Sequence, residues 1–500
     1  MEGAGAAVSR VVVVGAGLGG LAAAARLARL HHDVTVLERA DALGGKAGSF
    51  GHDAFRFDTG PSLITLPATI RDLFRKTGKP VESVLELRPL DQLAHYRFAD
   101  GTELDVPNTG VPDVAAAFQD AFGGRAGEQW HAFYERAERT WDVVRTPFVE
   151  SALDGPAPLL RMALTRPRDA ALVAPWRTLR ALGTRSFEDP RLRVWLDRYA
   201  TYSGSDPRKS PAVLSVVPYV EHAFRGWEVV GGVRRLVDAM YERAVDRGVR
   251  VRTGAEVVKV TTSGGRATGV ALADGSVLPA DIVVSDVDAS VLYSTLLDPP
   301  RPAALRRLRS ATPSSSGVVL LLALRGRTPG LRRHTVLFGD DTDREFDAVF
   351  GPDARPPERP TIYISATEDD APPDCEAWFV LVNAPRHGSG AGAIDWTAPG
   401  LADRYADEVL AVMASRGVDV RDRLVFREIG TPADLETATG SPGGAIYGTS
   451  SNGWRAATLR PANRSPVHGL FLVGGSVHPG GGIPLVLMSA ALVAEMIGRA

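Results

Sequence analysis

Cysteine is almost absent. Cys375 stands alone in 500 residues, so no internal disulfide and no cysteine-built metal site is expected. It lies between Asp374 and Glu376 in a proline-rich stretch, a poor setting for a thiolate nucleophile. A reducing cytosol is the compartment this usage fits. A dominant charge of one sign is also missing. Lys and Arg number 57 against 59 Asp and Glu, a net charge of −2, which offers no footprint for nucleic acid. No run of about 18 uninterrupted apolar residues occurs, so no transmembrane helix is expected. The longest candidate, 470–497, is broken by glycines, His478 and two prolines. The apolar stretch after Arg10 is not read as a signal peptide, because cleavage would destroy the glycine motif inside it. Neither a Ser/His/Asp triad, an HExxH motif nor a paired carboxylate cluster stands out, and no metal is expected.

What is present starts at Val11–Gly20, VVVVGAGLGG. Four valines predict a buried strand. The turn through Gly15, Ala16, Gly17, Gly19 and Gly20 then opens an alanine- and leucine-rich helix. Strand, tight glycine turn and helix N-terminus are the order a dinucleotide site needs. A second strand, Val34–Leu37, ends in Glu38, 18 positions past Gly20, near the spacing of a ribose-binding acid. Gly44-Gly45 predicts a second close backbone approach, with Arg39 and Lys46 as cations near a phosphate. Gly388-x-Gly390-x-Gly392 is read as a loop, since no acid-ended strand follows and Pro399 intervenes.

The run ERADALGGKAGSF, followed by Asp58–Ser62 (DTGPS, with Gly60 and Pro61), resembles the extended FAD fingerprint of the flavin amine oxidase superfamily. No second strand–GxGxxG–helix unit appears, so no NAD(P)H site is expected. Near the C-terminus, strand Leu470–Val473 runs into Gly474, Gly475 and then HPGGGIP. Such glycine density places backbone against something flat or phosphorylated. A helix starting near Gly482, Ile483 and Pro484 would aim its positive end at the flavin pyrimidine.

Along the chain, residues 1–110 are expected to form the first part of a nucleotide domain, with a hairpin at Asp100-Gly101. Residues 111–225 are expected to be a helical cap, 226–300 the second nucleotide part, 301–440 a substrate domain and 441–500 the C-terminal nucleotide part. The aromatic series Phe118, Phe122, Trp130, Phe133, Tyr134, Trp141 and Phe148 is read as cap core. Between Pro158 and Arg185 lie six arginines and one acid, Asp169. Leu172, Trp176 and Leu179 are expected on one helical face. Such a basic amphipathic segment suits a membrane interface; a solvated cap helix is the other reading. The fold expected is α/β, a discontinuous Rossmann-type FAD-binding domain with an inserted α+β substrate domain and a helical membrane-associated cap.

Over its whole length the chain resembles bacterial-type phytoene desaturases and their carotenoid desaturase and oxidase relatives. The resemblance rests on VVVVGAGLGGLAAAARL, VLERADALGGKAGSF, FDTGPSLIT, WEVVGGVRRLVDAM, ADIVVSDVDA, TPADLE, LRPANRSPVHGLFLVGG and HPGGGIPLV. It implies FAD as sole redox cofactor, a long apolar polyene substrate, peripheral attachment to the cell membrane and Val257 at the adenine. O2 or a quinone would reoxidise the flavin. It implies desaturation of phytoene or of a later, hydroxylated carotenoid. A carotenoid oxidase or ketolase and an amine oxidase are the alternatives. A carotenoid carrier with a vestigial nucleotide fold is argued against by the intact Gly15, Gly17, Gly20 and Glu38. One departure is Gly475, where many flavoproteins place an aspartate for the ribityl chain. His478 is a candidate proton-handling group or else a backbone-bonded structural residue. Arg455, Arg460 and Arg464 would contact phosphate or, for most of them, loop carbonyls.

Overall fold

The computed structural model describes residues 8–60, 62–152, 161–162, 164–300, 302–367, 370–453 and 455–500. Val11–Val14 are buried to a residue, and a strand buried on both faces belongs inside a parallel sheet. That sheet has five strands in the order Leu470–Leu472, Ile282–Ser285, Arg10–Val14, Asp33–Leu37, Arg250–Arg252, all parallel. Helix Leu18–Arg29 covers it. Its run Ala22–Ala25 is fully buried, and such small side chains let helices Val233–Asp246 and Ile483–Ile497 pack close in one core. The parallel sheet is therefore assembled from three separated stretches of the chain. Strands Val257–Ser263, Arg266–Leu272 and Val277–Pro279 form a small antiparallel sheet beside it.

The second layer is a seven-stranded sheet in the order Leu424–Gly430, Ser316–Arg325, Cys375–Ala384, Ile362–Thr367, His334–Leu337, Gln92–Arg97, Glu103–Pro107. The last two strands correct the boundary expected at residue 110. The hairpin around Asp100-Gly101 forms, but it pairs with His334–Leu337 in the substrate sheet, not with the nucleotide sheet. Its inward residues Tyr96, Leu104 and Val106 are buried under the helical region. One sheet face is closed by helix Leu401–Ser415 through Val380, Val382, Ile362 and Ile364.

The helical region packs as the aromatic series predicts. Phe118 meets Trp195 edge-on at 5.0 Å and stacks on Trp130 at 5.4 Å. Each such ring contributes about 1.5–3 kcal/mol through burial. The arginine-rich segment is not one helix, which corrects the single face expected for Leu172, Trp176 and Leu179. Helix Pro167–Val173 stops at Ala174, whose φ is 44°. A second helix starts at Leu179, capped by Thr178 Oγ1. Leu179 is core, Leu172 half-buried, and Trp176 on the connecting turn is 68% exposed. Residues 158–160 and 163 of that segment lie outside the described residues.

Candidate functional site

The nucleotide side is built on close backbone approach. Gly15 has φ +98°, and its N–H donates to Leu37 O at 2.8 Å. A Cβ on Gly20 would strike Gly15 O, and one on Gly19 would lie 2.9 Å from Gly474 N. Gly44 N donates to Ala16 O at 2.9 Å, and Gly45 would bring a Cβ to 3.6 Å from Gly17 Cα. Gly60 lies against the Lys46 carbonyl. Glu38, directly after the second strand, accepts from Ala16 N at 2.8 Å and from Ala40 N at 2.9 Å. So the predicted Gly15, Ala16, Gly17, Gly19, Gly20, Glu38, Gly44, Gly45, Gly60 and Gly474 converge around the start of one helix. Pro61 lies outside the described residues. Val257 opens its strand and shares a buried cluster with Val14 and Leu37.

Asp286 was not anticipated. It follows strand Ile282–Ser285 and accepts from Gly20 N at 2.9 Å. A Cβ on Gly17 or on Gly19 would fall 2.5 Å from one of its carboxylate oxygens. Burial pushes its pKa up to about 7, against the amides of Gly20 and Gly17 and against Lys46, with Glu38 raising it further. An anionic group already sits where the helix dipole favours one, so the chemistry of this cradle suits a phosphate-bearing group. In sequence, Asp286 looks only like the end of a strand.

Two expected contacts are corrected. Lys46 does not face outward to a phosphate: its Nζ donates to the carbonyls of Ala445 (2.9 Å) and Ile446 (2.7 Å), and burial lowers its pKa to about 8. Arg39 donates to Thr437 O at 2.7 Å. His478 takes the structural option. It is buried, its Nε2 lies 2.9 Å from Ser151 O, and burial lowers its pKa, so the neutral ring donates to that carbonyl. Arg460 holds loop carbonyls, as favoured: Tyr447 at 3.2 Å, Thr449 at 2.7 Å and Gly475 at 3.0 Å. Arg464 lies over the Phe471 ring at 5.4 Å. The final helix starts at Ile483 with Gly482 (φ +96°) as its N-cap and Pro484 in its first turn. Gly475 closes on Gly481, a Cβ there falling 3.4 Å from Gly481 Cα.

The substrate side meets this cradle at Tyr447. Gly481 lies directly against the Tyr447 ring, and a Cβ on Gly204 would come within 3.1 Å of it from the other side. Beyond it runs the open face of the seven-stranded sheet. Successive side chains of a strand alternate faces. On Ile362–Thr367 the isoleucines face the core, whereas Tyr363, Ser365 and Thr367, with Thr361 before them, share the other face. In register beside them stand Leu381, Phe379 and Ala377 on one strand and Val336 and His334 on the other. A cleft of roughly 430 Å³, counted with its solvent-open part, is lined by Ser365, Thr367, Phe379, Ser62 and Val233 and by the charged Arg56, Asp58, Arg333 and Asp370. Asp58 itself is occupied, accepting from Val233 N at 2.7 Å and so fixing the Gly231-Gly232 turn. Arg198 stands by the same sheet: it donates to Tyr202 OH at 3.0 Å and lies 5.7 Å and 5.9 Å over the rings of Tyr96 and Tyr363. Glu221 accepts from Tyr199 OH at 2.6 Å and from Tyr202 OH at 3.2 Å. Among the described residues no group of His, Cys, Asp and Glu is placed to hold a metal.

Residues 18–377 match the family described as flavin-containing amine oxidoreductases. The hydroxyneurosporene desaturase of Cereibacter sphaeroides is 35% identical, covering 98% of this chain and 97% of its own length. The 4,4'-diapolycopene oxygenase of a Methylomonas species is 32% identical, covering 98% of each. Among solved structures, a putrescine oxidase bound to putrescine superposes with a TM-score of 0.66 at 17% identity, over 98% of this chain and 99% of that one. That last likeness is one of fold.

Proposed function

The chain belongs to the family of flavin-containing amine oxidoreductases, with FAD as its cofactor, and we propose that it introduces C=C bonds into a carotenoid polyene. The observation that carries this is the pairing of a glycine-built dinucleotide cradle with a long sheet face of aromatic, aliphatic and hydroxyl side chains, joined at Tyr447. A hydrocarbon offers no charge to grip, so its recognition falls to such a surface. Curated relatives of nearly the same length act on carotenoids by name.

The glycine turn at residues 15–20, Glu38, Gly44-Gly45 and Gly474-Gly475 would hold the dinucleotide, with Val257 on the adenine side and the Gly482–Pro484 helix start at the ring. When bound, FAD would supply the acceptor for the hydride that leaves one carbon of a CH–CH pair, while the neighbouring carbon gives up its proton to water. The protein's own part is positional. Tyr363, Phe379 and Leu381 orient the chain against the ring end of the cradle. Arg198 and Glu221 hold Tyr202 and Tyr199 in place beside this sheet. His478 is committed to Ser151 O and is not free to act as a base.

Contact with a membrane surface fits the same reading, because a polyene is stored in lipid. Leu164 is 83% exposed and Trp176 68% exposed, with Arg161, Arg166 and Arg168 exposed beside them, a pairing suited to an anionic interface. Among the described residues no helix is long and apolar enough to cross a membrane. O2 or a quinone would take the electrons.

The test is product analysis with FAD-loaded protein on carotenoid-bearing liposomes. A red-shifted product lighter by two hydrogens per step is expected. A product gaining one oxygen would move the assignment to the oxygenase reading that the Methylomonas relative represents. No product at all would overturn both.

A further inference from the structure

We propose that Lys46 and Arg460 hold an unneutralised positive charge beside the ring end of the cradle and so raise the reduction potential of the bound flavin. The inference rests on FAD occupying the cradle with its ring at the Gly482–Pro484 helix start, and not on which carotenoid is the substrate.

The two side chains come from distant segments and meet around one loop. Lys46 Nζ donates to the carbonyls of Ala445 at 2.9 Å and Ile446 at 2.7 Å. Arg460 donates to those of Tyr447, Thr449 and Gly475. Five carbonyls therefore surround two cations, and among the described residues neither cation forms an ion pair. The acids whose charge they feel, Asp286 and Asp288, are engaged elsewhere. Asp286 accepts from Gly20 N at 2.9 Å, and Asp288 Oδ1 from Ser290 N at 2.9 Å. Carbonyl dipoles solvate a cation but do not cancel its charge.

Lys46, Tyr447, Arg460 and Asp286 all keep accessible surface. Burial nevertheless lowers Lys46 to a pKa of about 8 and Arg460 to about 10, and it raises Tyr447 to about 12 and Asp286 to about 7. Surface that is accessible yet desolvated opens on an interior space, not on bulk water. That space adjoins the ring end of the cradle. Gly481 lies against the Tyr447 ring, and Gly482 caps the final helix directly after it.

In such an interior the field of an uncompensated cation is strong. Desaturation breaks a C–H bond and sends its electron pair and proton to the flavin as hydride. The C=C forms as the neighbouring carbon yields its proton to water, and the reduced ring is left with one negative charge. Lys46 and Arg460 supply the positive charge that this state needs and the neutral oxidised ring does not. The preference for the reduced state is a higher potential, which helps a flavin take hydride from a hydrocarbon.

Wild type, Lys46→Met, Lys46→Arg and Arg460→Lys are compared by midpoint potential and by affinity for oxidised FAD, for dithionite-reduced FAD without oxygen, and for ADP, which carries the diphosphate without the ring. No carotenoid is present, so failure of the desaturase reading leaves these outcomes untouched. Lys46→Met is expected to weaken reduced FAD about 10-fold more than oxidised FAD, a fall of about 30 mV for a two-electron couple, with ADP unchanged. Lys46→Arg keeps the charge and should keep the potential. Arg460→Lys loses the planar fork but not the charge, and should also keep the potential while melting lower. Equal loss of oxidised and reduced FAD in Lys46→Met, an unchanged potential there, or the same fall in either charge-keeping variant would overturn the proposal. A parallel loss of ADP would move the charge to the diphosphate and overturn it as well. Failure of wild type to bind FAD would remove the cofactor reading itself, and the proposal with it.

Discussion

The Asp286 carboxylate accepts the Gly20 amide at 2.9 Å, so an anion of the protein's own stands at the N-terminus of the helix whose amides are meant for a pyrophosphate. Asp286 and the diphosphate compete for one dipole. Its raised pKa of about 7 sets the direction of the competition. As pH falls through 7 the carboxyl is neutralised and its repulsion of the diphosphate is lost. FAD should therefore bind the apoprotein more tightly at pH 6 than at pH 8. Asp286→Asn should tighten binding at pH 8 and flatten the pH dependence. Titration of flavin fluorescence reads both, and weaker binding at pH 6 would refute the competition.

The same residue has a stability consequence. Its folded pKa is raised, so its contribution is fully present below the ordinary carboxylate range and is lost as pH rises through about 7. Asp197, also pushed up to about 7 by burial although it pairs with Arg180, acts in the same sense. Apoprotein Asp286→Asn should lose less melting temperature than wild type between pH 6 and pH 8 in calorimetry.

Gly19 admits no side chain. A Cβ there would meet Gly474 N at 2.9 Å and Asp286 Oδ1 at 2.5 Å, both in the cradle. Gly19→Ala should leave the fold intact, costing about 1–3 kcal/mol of overpacking, but should purify with little flavin. Full flavin content, read from the absorbance ratio, would contradict the placement of this cradle.

Arg460 joins three carbonyls of two loops, at Tyr447, Thr449 and Gly475. Arg460→Ala strands all three and should destabilise the protein by roughly 2–4 kcal/mol. Arg460→Lys should recover only part, because an ammonium cannot reproduce the planar fork. Thermal melts of the two variants decide it.

His478 should prove dispensable for chemistry. With Nε2 on Ser151 O, His478→Gln keeps a donor for that carbonyl, and the desaturation rate should stay within about threefold of wild type. Loss of several orders of magnitude in a folded, flavin-bearing variant would restore it as a proton-handling group.

Leu164 and Trp176 test the lipid contact. Replacing both with serine should lower the fraction sedimenting with anionic vesicles without altering flavin content. Unchanged sedimentation would return the segment to the solvated-cap reading.

Much of the nucleotide side was legible in the chain because its signals are local. Four valines, a glycine turn and an acid-ended second strand make a short-range pattern with a steric cause. The convergence of Gly15, Gly17, Gly20 and Glu38 follows from it. Cations were misjudged for a physical reason: Arg39 and Lys46 were assigned to phosphate by proximity in sequence, whereas long side chains reach whatever carbonyl the fold brings near, here Thr437, Ala445 and Ile446, about 400 residues away. The strand Ile362–Thr367 was visible as a strand. Its alternation of isoleucine with hydroxyl residues is visible too, but only the pairing in the sheet shows that His334 and Phe379 stand beside Ser365.

By itself, then, the sequence determined the dinucleotide cradle, the discontinuous nucleotide domain and the kinship of the whole chain, since each rests on residues close together in the chain and on backbone room that only glycine provides. Tertiary structure alone decided that the 92–107 hairpin joins the substrate sheet, that Asp286 faces the glycine turn, and that His478 is tied to Ser151. Those outcomes depend on strand register and on contacts between distant segments. Hydrogen-bond satisfaction is a property of the packed whole, and no local pattern encodes which buried group is left without a partner.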